Sequence, residues 1–197
     1  MLSDAEQETI LGKLLKELFK KLDENKVPFC ILRNYDRLPD YTEHDLDLLV
    51  PIEYLQSYMG ILHAITRSMG ITLVRVSKRF GFQQVFYYSF INDQIIQFDC
   101  HGIINHYGQK YINEQIVIRE KIWNKQGFWT ASLGSESAIS LMKEYILFGK
   151  VKDKGDSKKH ISKLAREDPD NFVATLRHFL GDKISKFILN CAQNEDW

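Results

Sequence analysis

The sequence predicts an α+β protein: a mixed β-sheet flanked by helices over residues 1–132, then a small helical bundle over residues 133–197. Three observations predict it. Short runs rich in β-branched, leucine and aromatic residues recur between Val27 and Cys100, separated by turn residues. Two stripes at helical spacing, Ile10–Leu22 and Leu55–Ile65, lie among those runs. From Ser135 onward the apolar spacing is helical.

The elements follow in order. Ser3 or Asp4 with Gln7 marks a helix start, and Ile10, Leu11, Leu14, Leu15, Leu18, Phe19 and Leu22 form a stripe suited to packing on a sheet. Val27–Leu32 reads as a first strand, with Pro28 where a missing ladder donor is tolerated. A polar loop, Arg33 to His44, leads into the strand Asp45–Val50, which Pro51 closes. A helix from about Ile52 to Met69 stops at Gly70. Ile71–Val76, Phe82–Phe90 and Gln94–Cys100 read as strands, the last two joined at Asn92-Asp93 as a hairpin. In the last strand Asp99 shares a face with Gln97 and Ile95, while Phe98 and Ile96 point the other way. Ile116–Trp123 and Phe128–Ala131 suggest another hairpin around Asn124–Gly127. Ser135 is the expected cap of a helix ending at Gly149; a basic linker, Lys150 to Lys159, precedes two or three further helices interrupted by Pro169 and Gly181.

Composition narrows the class. At 197 residues the chain can bury a sizeable core. Its 26 basic residues balance its 26 acidic ones, so nothing global favours nucleic acid or an anionic membrane, and nucleic acid is not an expected partner. Cys30, Cys100 and Cys191 are odd in number and widely scattered, which suits a reducing compartment better than a disulfide framework. The N-terminus carries Asp4, Glu6 and Glu8 rather than an apolar leader, and no run reaches membrane-spanning length, so a cytoplasmic protein is expected. A Gly-rich phosphate loop and a Gly-x-Ser-x-Gly elbow are both absent, which argues against P-loop kinases and α/β-hydrolases.

The chemistry concentrates in three acids. Asp45 and Asp47 open the apolar strand that continues Leu48-Leu49-Val50, and Asp99 lies near the end of another apolar strand. Alternation along a strand sends Asp45 and Asp47 to one face, one pleat apart. Two carboxylates held that close repel, and both stay ionised only with a cation between them. A third acid from a neighbouring strand completes the all-oxygen cage that magnesium or manganese prefers. The plainer alternative makes them surface acids, with Asp99 paired to an arginine; Asp47→Ala would then leave magnesium binding unchanged. His44 should point away from Asp45 and is read as a loop residue. Cys100 and His101 lack the second Cys/His cluster that a zinc site needs. Phe82, Phe86, Tyr87, Tyr88 and Phe90 are read as core and strand-face packing rather than a base-stacking platform.

An Asp-x-Asp opening one strand with a third Asp on a later strand resembles the DNA polymerase β-like nucleotidyltransferase superfamily. The resemblance implies the minimal nucleotidyltransferase fold for the first part of the chain. In that family a Gly-Ser pair begins twelve residues before the first Asp; here Arg33-Asn34 stands in that place. The stretch Ile31-Leu32-Arg33-Asn34-Tyr35-Asp36-Arg37-Leu38-Pro39, followed by His44-Asp45-Leu46-Asp47, looks like that of nucleotidyltransferase-like proteins from bacterial surface-polysaccharide gene clusters. The likeness extends through Asp99 to the lysine-bearing segment Leu141–Lys154.

The resemblance implies a two-metal reaction in which Asp45, Asp47 and Asp99 hold magnesium or manganese. A nucleoside monophosphate would pass from a nucleoside triphosphate to a small-molecule or sugar-phosphate acceptor, with Asp99 as candidate base. Arg33 and Asn34 could donate to phosphate oxygens. Lys143 with Lys150, Lys152 or Lys154 could fold over the phosphates, against the alternative of a solvated charge run. Arg75, Lys78 and Arg79 form a second basic patch, read as solvated. Two other readings stand beside the enzyme: a catalytically silent nucleotidyltransferase-like binding module, kept alive by Arg33-Asn34, and a toxin-type enzyme that modifies tRNA.

Overall fold

The computed structural model describes residues 9–42, 45–106, 109–151 and 157–196. The expected helix start at Ser3 or Asp4, His44, Lys152 and Lys154 lie outside them. The fold is α+β, and among the described residues there are six α-helices, two of them with a short or broken course. No helix there is long and apolar enough to cross a membrane. The chain divides into two compact units. The first runs to Gly102 and takes in Trp123–Phe128; the second comprises Ile103–Ile122 and Trp129–Trp197.

In the first unit Thr9 caps the opening helix, α1 (Ile10–Glu24), its hydroxyl accepting from the Gly12 N–H at 2.9 Å. The expected stripe is the buried face: Leu11, Leu14, Leu15, Leu18, Phe19 and Leu22. Phe19 stacks on Phe29 with ring centroids 5.4 Å apart, just ahead of β1 (Cys30–Ile31). That strand is shorter than the expected Val27–Leu32, because regular pairing to β2 (Leu46–Leu49) extends only over Cys30↔Leu49 and Ile31↔Leu48. A single 3-10 turn, Ile52–Tyr54, leads into α2 (Leu55–Ser68). The chain then forms β3 (Thr72–Arg79), β4 (Phe82–Ser89) and β5 (Gln94–His101).

These five strands lie in the order β3-β4-β5-β2-β1. The sheet is mixed: β5 runs antiparallel to β4 and parallel to β2. Its two faces differ. Along β4 burial alternates residue by residue, with Gln83, Val85, Tyr87 and Ser89 buried and Phe82, Gln84, Phe86 and Tyr88 half-buried. Ile96, Phe98 and Cys100 of β5 are buried on the Val85–Tyr87 face, where α2 packs and His63 meets Tyr87. The opposite face carries Gln97, Asp99 and His101, with Ile95 64% exposed, as the alternation in the sequence requires.

The second unit is mainly helical. Two short antiparallel strands, β6 (Asn105–His106) and β7 (Gln109–Lys110), precede α3 (Glu114–Arg119). Here a strand expectation is corrected. Ile116–Arg119 is helical because the Asn113 side chain accepts from the Gln115 N–H and starts a turn that the β-branched composition alone did not suggest. The expected turn at Asn124–Gly127, in the segment that belongs to the first unit, does form, with the Asn124 N–H donating to Phe128 O and Gly127 at φ 89°, between the short strands β8 (Ile122–Trp123) and β9 (Trp129–Thr130).

Helix α4 (Leu133–Phe148) begins one turn earlier than expected. Ser132 is its cap, and Ser135 is buried in the first turn with its hydroxyl against Thr175 at 2.9 Å. Gly149, left-handed at φ 69°, ends it as expected. α5 (Ser157–Glu167) and α6 (Pro169–Asn194) pack on α4, and Gly181 breaks the regular course of α6.

Candidate functional site

Strand pairing assembles the site. β2 and β5 run parallel with Asp47 opposite Asp99 across the ladder, so both carboxylates leave the same face. Asp45, two residues before Asp47, joins them. One ligand oxygen from each of the three acids lies within 4.8 Å of the others. Asp47 and Asp99 are only 4% and 9% exposed, and Asp45 is half-buried. β2 forms in this place because Leu46, Leu48 and Leu49 are all buried, and burying them carries Asp47 inward with them.

The surroundings of the acids differ. Arg33, two residues beyond β1, donates its Nε–H to Asp47 Oδ2 at 2.5 Å, and His101 Nε2 lies 3.3 Å from Oδ1 of the same carboxylate. Burial pushes the Asp47 carboxyl up; the His101 hydrogen bond, with the charge and hydrogen bond of Arg33, outweighs it and holds the group at about 2. Among the described residues, Asp45 has no cationic side chain bonded to it. Burial, then the charge of Asp47, then the hydrogen bond and charge of Asp99 push it up, and Arg33 offsets this only in part. Burial likewise works against the Arg33 charge, but Asp47, backed by Asp45 and Asp99, more than restores it and raises the guanidinium. Asp99 accepts two amide hydrogen bonds on Oδ1, from Gln84 at 3.0 Å and Gln97 at 2.9 Å, which fix its orientation.

The donor set fits a hard divalent cation. Three carboxylates converge where one guanidinium supplies the neighbouring positive charge, and Asp45 is left with a raised affinity for its proton. A divalent ion held among them would relieve that repulsion.

Of the residues singled out in the sequence, the structure brings together Asp45, Asp47, Asp99 and Arg33, the last bonded to Asp47. Asn34 follows Arg33, exposed and left-handed at φ 59°, a conformation asparagine tolerates better than most residues. Lys143 lies on α4 and Lys150 just beyond it, both in the second unit. Three residues at the acids were assigned no part in the site from the sequence: Gln84, Gln97, which was placed on the Asp99 face, and His101, which was weighed only as a zinc ligand. His101 and Gln97 had a signal, since each stands two positions from Asp99 and must share its face. Gln84 had none, because the register that sets it opposite Asp99 is a tertiary fact.

No protein-family model matches the chain, and no curated protein matches it. Among solved structures, the crystal structure of JHP933 from Helicobacter pylori aligns with it at 13% identity and a TM-score of 0.49, covering 97% of this chain and 95% of that one. A likeness that remote carries no argument about function.

Proposed function

We propose that the chain is a magnesium-dependent nucleotidyltransferase, moving a nucleoside monophosphate from a nucleoside triphosphate to a small-molecule or sugar-phosphate acceptor. The observation that carries the reading is the convergence of Asp45, Asp47 and Asp99, from two paired strands, to within 4.8 Å. Magnesium or manganese held by these three carboxylates would neutralise phosphate charge and acidify the acceptor hydroxyl.

The chain's own groups do the rest. Asp99, oriented by Gln84 and Gln97, would take the proton of the acceptor hydroxyl as its oxygen bonds to the α-phosphorus and pyrophosphate departs. His101 steadies Asp47 on the side away from Arg33. Arg33 neutralises Asp47; were the three acids to hold a divalent ion, the guanidinium would be free to turn toward phosphate oxygens.

The test is calorimetry with each of the four ribonucleoside triphosphates, in magnesium or manganese. At least one should bind, and the binding should disappear in the Asp45→Asn/Asp47→Asn double variant. A second reading, a catalytically silent binding module, is favoured by the Arg33 hold on Asp47, which fills an oxygen that a metal would need. If no nucleotide binds with either metal, that module is the better account.

A further inference from the structure

The face of the sheet that bears the acids extends past them, and its side chains form an ordered lane. Across the strands the register aligns Asp47, Asp99, Gln84 and Ser77 in one row, from β2 through β5 and β4 to the edge strand β3. On one side of that row run Gln97, Phe86 and Arg75, and on the other His101, Phe82 and Arg79. From Asp99 outward, a ligand would therefore meet amides, then two half-buried phenyl rings, then two exposed guanidiniums with Ser77 between them. Phe82 is held in place by the His101 ring, 4.9 Å away between centroids.

Two features set this lane apart from an ordinary strand surface. Arg75 and Arg79, paired on the edge strand with Phe86 and Phe82, make no ion pair with any described carboxylate. The rings are half-buried although they lie on the face opposite α2, so apolar area is offered beside fixed polar groups, as in a small-molecule site. Gln84 and Gln97 each spend an N–H on Asp99 and keep a carbonyl oxygen to accept from a hydroxyl.

Adjacent strands stand about 4.8 Å apart, so the guanidinium row starts about 10 Å from Asp99, a span that arginine stems can shorten. The complementary molecule has a hydroxyl at one end, a compact ring with apolar faces in the middle and an anionic group at the other end. We infer that this lane seats the acceptor, and that the acceptor is a phosphorylated sugar or similar polyol phosphate, its hydroxyl at Asp99 and its phosphate between Arg75 and Arg79. This rests on the nucleotidyl-transfer reading of the acids, but its binding test does not require turnover.

The experiment uses the full chain and three probes, glucose 6-phosphate, glucose and inorganic phosphate, followed by ligand-observed NMR titration. Manganese binding to the acids is counted separately by electron paramagnetic resonance. Glucose 6-phosphate should bind at least about tenfold more tightly than glucose or inorganic phosphate, and Arg75→Gln/Arg79→Gln should lose at least about tenfold of that affinity with manganese binding unchanged. Both arginines are exposed on an edge strand, so the variant should fold; Phe82→Leu/Phe86→Leu provides a second arm that should weaken the sugar phosphate and leave inorganic phosphate alone. A smaller loss in the arginine variant, equal binding of glucose, or inorganic phosphate binding as tightly as the sugar phosphate overturns the assignment. Failure of manganese to bind in the same samples counts against the metal reading instead, and leaves the lane standing.

Discussion

Asp45 and Asp47 stand two residues apart on one strand and have opposite electrostatic fates. Asp47 is clasped by Arg33 and His101 and held at about 2, whereas Asp45 is pushed up by burial and by its two acidic neighbours. Their variants should therefore move stability in opposite directions in metal-free solution. Asp47→Ala removes a carboxylate whose depressed pKa is worth about 2 kcal/mol at neutral pH and leaves Arg33 without its partner. Asp45→Asn removes a repulsion and should stabilise the fold. The sign also sets the pH dependence: the Asp47 contribution is present above the ordinary value of 3.8 and fades as pH falls toward about 2. Urea unfolding in chelator measures both effects. Destabilisation by both variants would mean that the acids form a structural network rather than a strained cation site.

At the scale of elements, the helix pair α4 and α6 shows how a single residue type admits a packing. A Cβ on Gly134 would sit 2.1 Å from the Asp168 carbonyl oxygen and 2.5 Å from the Phe172 nitrogen, both backbone atoms that cannot rotate away. The Gly134 N–H also donates to the Asp168 side chain, which caps α6. Gly134→Ala should cost roughly 1–3 kcal/mol, the usual range for overpacking, and thermal unfolding checks it. An unchanged melting temperature would mean that the two helices separate at little cost. No feature of Leu133-Gly134-Ser135 announced this contact, because it depends on α6 arriving some thirty residues later. The α1 stripe was legible for the converse reason: its period is a property of the segment alone.

For the molecule as a whole, 26 basic residues against 26 acidic ones leave no long-range field to gather a polyanion. Bulk tRNA should cause no mobility shift at low salt. A shift that weakens steeply as salt is added would favour the tRNA-modifying reading over transfer to a small acceptor. The lane beside the acids is compatible with global neutrality, since its two arginines act at contact distance on a single phosphate.

The sequence by itself determined the elements whose signal is periodic and local: the buried stripe of α1, the alternating faces of β5, the caps at Gly70 and Gly149, and the shared face of Asp45 and Asp47. It suggested that Asp99 belongs with that pair, first as an acid set in an apolar strand and then through a resemblance, but no local period could bring the two strands together. Tertiary structure decided what depends on pairing: the parallel register that brings Asp99 opposite Asp47, the amides that orient it, and the turn of Arg33 onto a carboxylate. The physical reason is that side-chain direction is fixed by each residue's own strand, whereas the neighbour it meets is fixed by which strands find one another.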